Sequence, residues 1–209
     1  MIVRLKKQWH HLAVKFTNDS GLIDVLWNEI EKQYTLKIRH YHNLSHISSM
    51  LHQAESAKNS IVNYDAFLLS IWYHDIIYKP TKKDNEEKSA NFAQKRLKTL
   101  SFDKKTTETI QKLIVSTKKH EIISSSNNDN ALLLDIDLSI LGSDWKIYQN
   151  YIENIRKEYA IYPNFMYKKG RKKVLMHFLE RETLYFTDIY QDKHESQARE
   201  NLLKEIKLL

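Results

Sequence analysis

The chain has 209 residues, a formal net charge of +7, and Lys+Arg 33 against Asp+Glu 26. Gly 3 and Pro 2 fall far below the roughly 25 that average usage gives the two together at this length, which excludes turn-rich β-sandwiches and favours long helices with short connections. Cys 0 excludes a disulfide framework and any thiolate metal site, so a metal bound here must use His, Asp or Glu. A single domain able to bury a sizeable core is expected. No apolar run reaches the length of a membrane span, and Met1-Ile2-Val3-Arg4-Leu5-Lys6-Lys7 is no signal peptide; a cytoplasmic protein with no membrane partner is expected. The basic charge suits either an anionic partner or a plain solubilising surface, since Lys is spread along the whole chain.

Leu5, Trp9, Leu12 and Phe16 predict a first helix from about Arg4 to Phe16, broken by Asn18-Asp19-Ser20-Gly21. A second follows on Leu22, Val25, Leu26, Ile30 and Tyr34. Arg39-His40-Tyr41-His42-Asn43-Leu44-Ser45-His46 opens a third, with Leu44, Ile47, Leu51 and Ala54 as its stripe. The fourth segment, Asp65 to Tyr78, is apolar on every side, so it reads as a central buried helix that Asn63 or Asp65 caps and Lys79-Pro80 ends. Asp84-Asn85-Glu86-Glu87 has the form of a capping box opening a helix to about Leu100. Asp103 or Thr106 starts the next, to about His120. After the polar loop Ser124 to Asn130 comes a second apolar run, Ala131 to Gly142, with Gly142 as its C-cap. Three more helices fit the remainder: about Asp144 to Ile161, Tyr167 to Phe186, and Asp192 to the end.

Two ionisable residues, His74 and Asp75, lie side by side in the central apolar segment. A buried imidazole and carboxylate are costly unless paired, and a divalent cation answers both at once. His46 and Asp137, near or within other apolar runs, supply two further donors. Two nitrogens and two oxygens suit Mn, Fe, Co, Ni or Zn, and Mg less well. The bland alternatives are a self-satisfied His74–Asp75 pair, a half-exposed His46, and acidic residues serving as helix caps. His42, four residues before His46, shares its helical face. The intervening Asn43-Leu44-Ser45 lacks the glutamate base of zinc-protease helices, so that reading is rejected.

The order His46, His74-Asp75, Asp137 resembles the HD superfamily of metal-dependent phosphohydrolases. Tyr41-His42-Asn43-Leu44-Ser45-His46-Ile47, Tyr73-His74-Asp75 with Asp84-Asn85-Glu86-Glu87-Lys88-Ser89-Ala90, and Asp135-Ile136-Asp137-Leu138-Ser139-Ile140-Leu141-Gly142 are similar to a small bacterial subgroup of it. Glu195-Ser196-Gln197-Ala198-Arg199-Glu200-Asn201-Leu202 fits that subgroup too. The resemblance implies an all-α, single-domain HD-type bundle of about nine to ten helices over residues 1–209, with helices from about 144 onward packed on the metal-binding core. It implies His46, His74, Asp75 and Asp137 as ligands, Asp137 rather than Asp135 because it directly precedes Leu-Ser-Ile. Asp135 is then a cap or an acceptor for a ligand histidine. His120 falls where binuclear members carry an added ligand. Asn85 stands where they usually have histidine, so one cation is expected, with Asn85 or Glu86 reaching substrate or water.

The implied activity is hydrolysis of a small phosphate ester, a nucleotide being one candidate, by metal-activated water. Asp75 orients or deprotonates the water, and Arg39, His42, Lys79 and His120 offset charge on the phosphoryl group. A second reading keeps the site without turnover, as a metal- or nucleotide-binding regulatory module. A third is nucleic-acid binding through Tyr167-Lys168-Lys169-Gly170-Arg171-Lys172-Lys173, which no reading motif accompanies, so nucleic acid is not expected. The C-terminal aromatics Tyr148, Tyr151, Tyr159, Tyr162, Phe178, Tyr185 and Phe186 either line a base-stacking pocket or form core. Monoester or diester specificity and oligomeric state are left open.

Overall fold

Apolar side chains recur at helical spacing from one end of the chain to the other, and a computed structural model shows the outcome. It describes residues 1–123 and 128–209, so most of the expected Ser124–Asn130 loop lies outside the described residues. Among those described there are ten α-helices and no strand. They are α1 (Ile2–Ala13), α2 (Ser20–Tyr34), α3 (Leu44–Ser56), α4 (Tyr64–Tyr73), α5 (Asn85–Thr99), α6 (Lys104–Ser116), α7 (Asp129–Leu138), α8 (Trp145–Glu158), α9 (Asn164–Leu179) and α10 (Asp188–Leu208). The all-α bundle is therefore as expected. Among the described residues no helix is long and apolar enough to cross a membrane. The chain divides into two compact units, Met1–Leu133 and Leu134–Leu209, with the boundary inside α7.

In the first unit α4 is the buried core helix, as its all-round apolarity requires: Phe67, Leu69, Ile71, Trp72 and Tyr73 are each at most 1% exposed. Trp72 is packed edge-on by Trp9 at 5.8 Å and Trp27 at 6.1 Å between ring centroids, a favoured aromatic geometry. Asn63 caps α4 by accepting from Ala66 N at 3.1 Å, while Asp65 takes an ion pair with Lys15. Asp129 holds the approach to α4 from the other side, accepting from Val62 N at 2.8 Å and Asn63 N at 3.0 Å.

Several details differ from the sequence expectation, among them α9, which starts at Asn164 and ends at Leu179 rather than running from Tyr167 to Phe186. The helix α4 ends at Tyr73 rather than Tyr78, for reasons that belong to the site. The capping box at Asp84 does not form; its side chain makes no cap bond and pairs instead with Lys88 at 2.8 Å. The helix α6 ends at Ser116, and His120 stands beyond it in left-handed backbone with φ 49°.

The second unit is organised around α10. The string Glu195 to Leu202 is its fastening face. Glu195 accepts from Leu184 N and Tyr185 N, Arg199 donates to the carbonyls of Leu179, Arg181 and Glu182, and Asn201 donates to those of Leu141 and Ser143. Gly142 closes a 3-10 turn, Ser139–Gly142, rather than capping a helix. A Cβ there would lie 2.6 Å from His194 Cβ, so only glycine admits the close approach of α10. Asp135 is neither a cap of its own helix nor free in it. Its carboxylate accepts from Phe186 N at 2.7 Å, Thr187 N at 2.8 Å and Thr187 Oγ1 at 2.6 Å. Burial raises its pKa against the pull of those donors. Arg171 forks onto Glu205 at 2.7 and 3.0 Å, and Tyr148 donates to the same carboxylate at 2.5 Å. Of the C-terminal aromatics, Tyr148 and Tyr185 are wholly buried, and both are core.

Candidate metal centre

The α4 backbone should leave its last carbonyls without helical partners. Here Tyr34 takes one of them over, and Arg39 and Ser89 hold the backbone of the segment that follows. Tyr34 donates its hydroxyl to Trp72 O at 3.1 Å. Arg39 donates Nη1 to Asp75 O at 2.7 Å and to His42 O at 3.0 Å, and Nη2 to Ile76 O at 2.9 Å. Ser89 accepts from Ile77 N at 3.1 Å and donates to Ile77 O at 3.2 Å. With these donors in place the chain leaves the helix after Tyr73, and His74 and Asp75 lie in the turn that follows rather than within the helix.

That turn brings two of the expected ligands to a third. His46, on the first full turn of α3 behind the Asn43 cap, places Nε2 3.2 Å from His74 Nε2. Asp75 Oδ2 lies 3.1 Å from the same His74 nitrogen. One donor atom from each of the three lies within 4.8 Å of the others. His46 is 6% exposed, His74 1% and Asp75 8%. Two donors each about 2.1 Å from an ion and at right angles to tetrahedrally disposed stand about 3.0–3.4 Å apart, which is the spacing seen here.

Protonation makes the fit specific. His74 Nδ1 lies 2.9 Å from Ile71 O; a carbonyl only accepts, so Nδ1 carries the hydrogen. In a neutral ring Nε2 is then a bare lone pair. It faces the Asp75 carboxylate at 3.1 Å and His46 Nε2 at 3.2 Å, so a cation placed among them would meet a lone pair from each of the three when both imidazoles are neutral. A proton on His74 Nε2 serves one line at a time, whereas a cation serves all three. The Ile71 carbonyl thus does for His74 what an orienting acceptor does for a metal-ligating histidine.

The other expected site residues fall as follows. Asp137, the fourth expected ligand, belongs to the second unit. His42 precedes α3 instead of sharing its face; Asn43 as cap keeps it outside the helix. Its ring stacks on Tyr78 at 4.3 Å and lies 6.1 Å from that of His46. Glu86, in the first turn of α5, has its carboxyl pushed above the ordinary range, first by burial and then by the negative charge of Asp75 and Glu87. Glu87 is paired with Lys118.

Arg39, expected to offset phosphoryl charge, is 5% exposed, with its guanidinium turned to backbone carbonyls. Asn85, expected to reach substrate or water, instead pins the loop before α5: it accepts from Lys79 N at 3.1 Å and donates to Lys79 O at 3.0 Å. The Lys79 side chain is exposed. His120 is half-buried in its turn. Sequence reasoning missed Tyr34 and Ser89, whose polar atoms sit on helix stripes that read as core or surface.

Compared with known proteins, the chain matches no family model, no curated protein and no solved structure.

Proposed function

We propose that this protein is a metal-dependent phosphohydrolase of HD type that binds one divalent cation at His46, His74 and Asp75. The observation that carries this is the facing of His74 Nε2 by His46 Nε2 at 3.2 Å and by Asp75 Oδ2 at 3.1 Å, with the hydrogen of His74 held on its other nitrogen. The donor set suits Mn, Fe, Co, Ni or Zn better than Mg. Asn85, where a second cation would draw a ligand, is engaged by Lys79 backbone, which favours a single ion.

A divalent cation at this cluster supplies Lewis acidity, lowering the pKa of water from 15.7 toward about 7 and polarising a phosphoryl oxygen. The chain's own groups do the rest. Asp75 orients the attacking water. Glu86, whose burial holds its proton to higher pH than an exposed glutamate, suits donation to the leaving oxygen. The half-exposed His42–Tyr78 pair offers a flat wall beside His46 for a substrate's planar group.

The test is metal analysis of the purified protein with a screen of generic phosphate esters and nucleotides in Mn or Ni, run beside His74→Ala and Asp75→Ala. Metal-independent turnover that both variants retain would remove the reading. Metal uptake and tight nucleotide binding with no product would replace the enzyme by a regulatory binding module.

A further inference from the structure

The metal reading leaves Arg39 without a role, because a guanidinium that is 5% exposed cannot meet substrate as a solvated charge does. Its contacts give it another. Arg39 begins the turn that runs into α3, which carries His46, and its Nη1 spans from His42 O at 3.0 Å to Asp75 O at 2.7 Å. Nη2 reaches Ile76 O at 2.9 Å. One rigid, planar fork thus joins the segment leading to one ligand with the segment holding the other two. The group is itself held between rings, 4.8 Å from the centroid of Tyr34 and 5.5 Å from that of Tyr78.

We propose that Arg39 is a positioning residue for the metal cluster: it sets the distance of His46 from His74 and Asp75 by bolting the turn before α3 to the turn after α4. Lysine cannot substitute, because a single ammonium lacks the fork that serves three carbonyls at fixed angles. The inference rests on the proposed metal site, and its test separates the two. Wild type, Arg39→Lys and Arg39→Gln are titrated with Co(II), following visible absorption, which reports coordination geometry, and calorimetric affinity. Melting of the metal-free proteins is measured alongside. Asn63→Ala is the structural control, since it removes the cap at the far end of α4, the bond from Ala66 N, and leaves Arg39 and its rings intact.

The expected result is a folded Arg39 variant that binds Co(II) about ten- to a hundredfold more weakly with an altered spectrum, while Asn63→Ala lowers the melting temperature and leaves the spectrum unchanged. An Arg39 variant with wild-type affinity and spectrum overturns the positioning role and leaves the metal site standing. Failure of both Arg39 variants to fold also overturns it, because a positioning role must be separable from folding. A wild-type protein that takes up no Co(II) overturns the metal reading and this inference with it.

Discussion

The Ser89 hydroxyl, on α5, closes a two-way bridge with the backbone of Ile77, accepting from its N–H at 3.1 Å and donating to its carbonyl at 3.2 Å. Twelve positions separate the two residues in the chain. This bridge lies within the irregular segment between α4 and α5, residues 74–84, so a hydroxyl on one helix shapes the His74–Asp75 turn after another. Ser89→Ala leaves both Ile77 groups short of a partner, and unsatisfied buried groups of this kind cost about 1–3 kcal/mol. Urea unfolding followed by tryptophan fluorescence should show a loss in that range. A change under about 0.5 kcal/mol, typical of an uninvolved surface site, would mean water or a backbone shift replaces the bridge.

Binding of a cation to the folded state alone must stabilise it. At free metal one hundred times the dissociation constant the gain is about 2.7 kcal/mol. Added Mn, Co, Ni or Zn should therefore raise the melting temperature of the wild-type protein, and a chelator should reverse the rise. His46→Ala and His74→Ala should melt at temperatures that ignore the metal. A shift of equal size in these variants would move the ion to some other place on the chain.

The His74–Asp75 part of the cluster was legible in the sequence because its physical demand is local: two ionisable groups in an apolar run must be paired with something, whereas His46 joined them through the order of the motifs. The end of α4 was not legible. Ile76 and Ile77 continue the apolar pattern past His74, and nothing nearby breaks it. The groups that end the helix are Arg39, 36 positions from Asp75, and Tyr34, 38 positions from Trp72. Such donors cannot be seen by periodicity. Arg39 was misread for the same reason, since a charged residue beside a ligand helix looks solvated until the carbonyls around it are known. The Asp84 box failed where a local rule met a local competitor, Lys88, on the next turn. Asp137 as a ligand rests on the sequence resemblance alone.

Gly142 meets the backbone and Cβ of His194, and an added methyl would sit 2.8 Å from His194 O and 2.6 Å from its Cβ. Neither neighbour is a flexible tip, so the strain cannot be relieved by rotating a side chain. Gly142→Ala should destabilise the C-terminal unit by about 1–3 kcal/mol, the usual cost of overpacking. Hydrogen exchange of α10 amides would localise the effect, with faster exchange there than in α4. Unchanged protection in α10 would show that the 3-10 turn moves aside freely.

His194 itself gives the fold a pH dependence. Burial holds its pKa below the ordinary 6.5, aided by the adjacent Lys193 and opposed by its contact with the Gly142 carbonyl. A depressed pKa means the unfolded chain takes up the proton first as pH falls. The contribution of neutral His194 is therefore fully present above about 6.5 and is lost as pH drops through the lower folded value. Comparing wild type with His194→Gln cancels the other titrating groups to first order. Unfolding free energies measured from pH 8 down to pH 5 should show wild type losing stability relative to the variant only in the acid half. The slope of that difference cannot exceed about 1.4 kcal/mol per pH unit for one proton. A difference that is flat across the range, or that grows in favour of wild type on acidification, would show that the imidazole is equally easy to protonate in both states or is stabilised when charged.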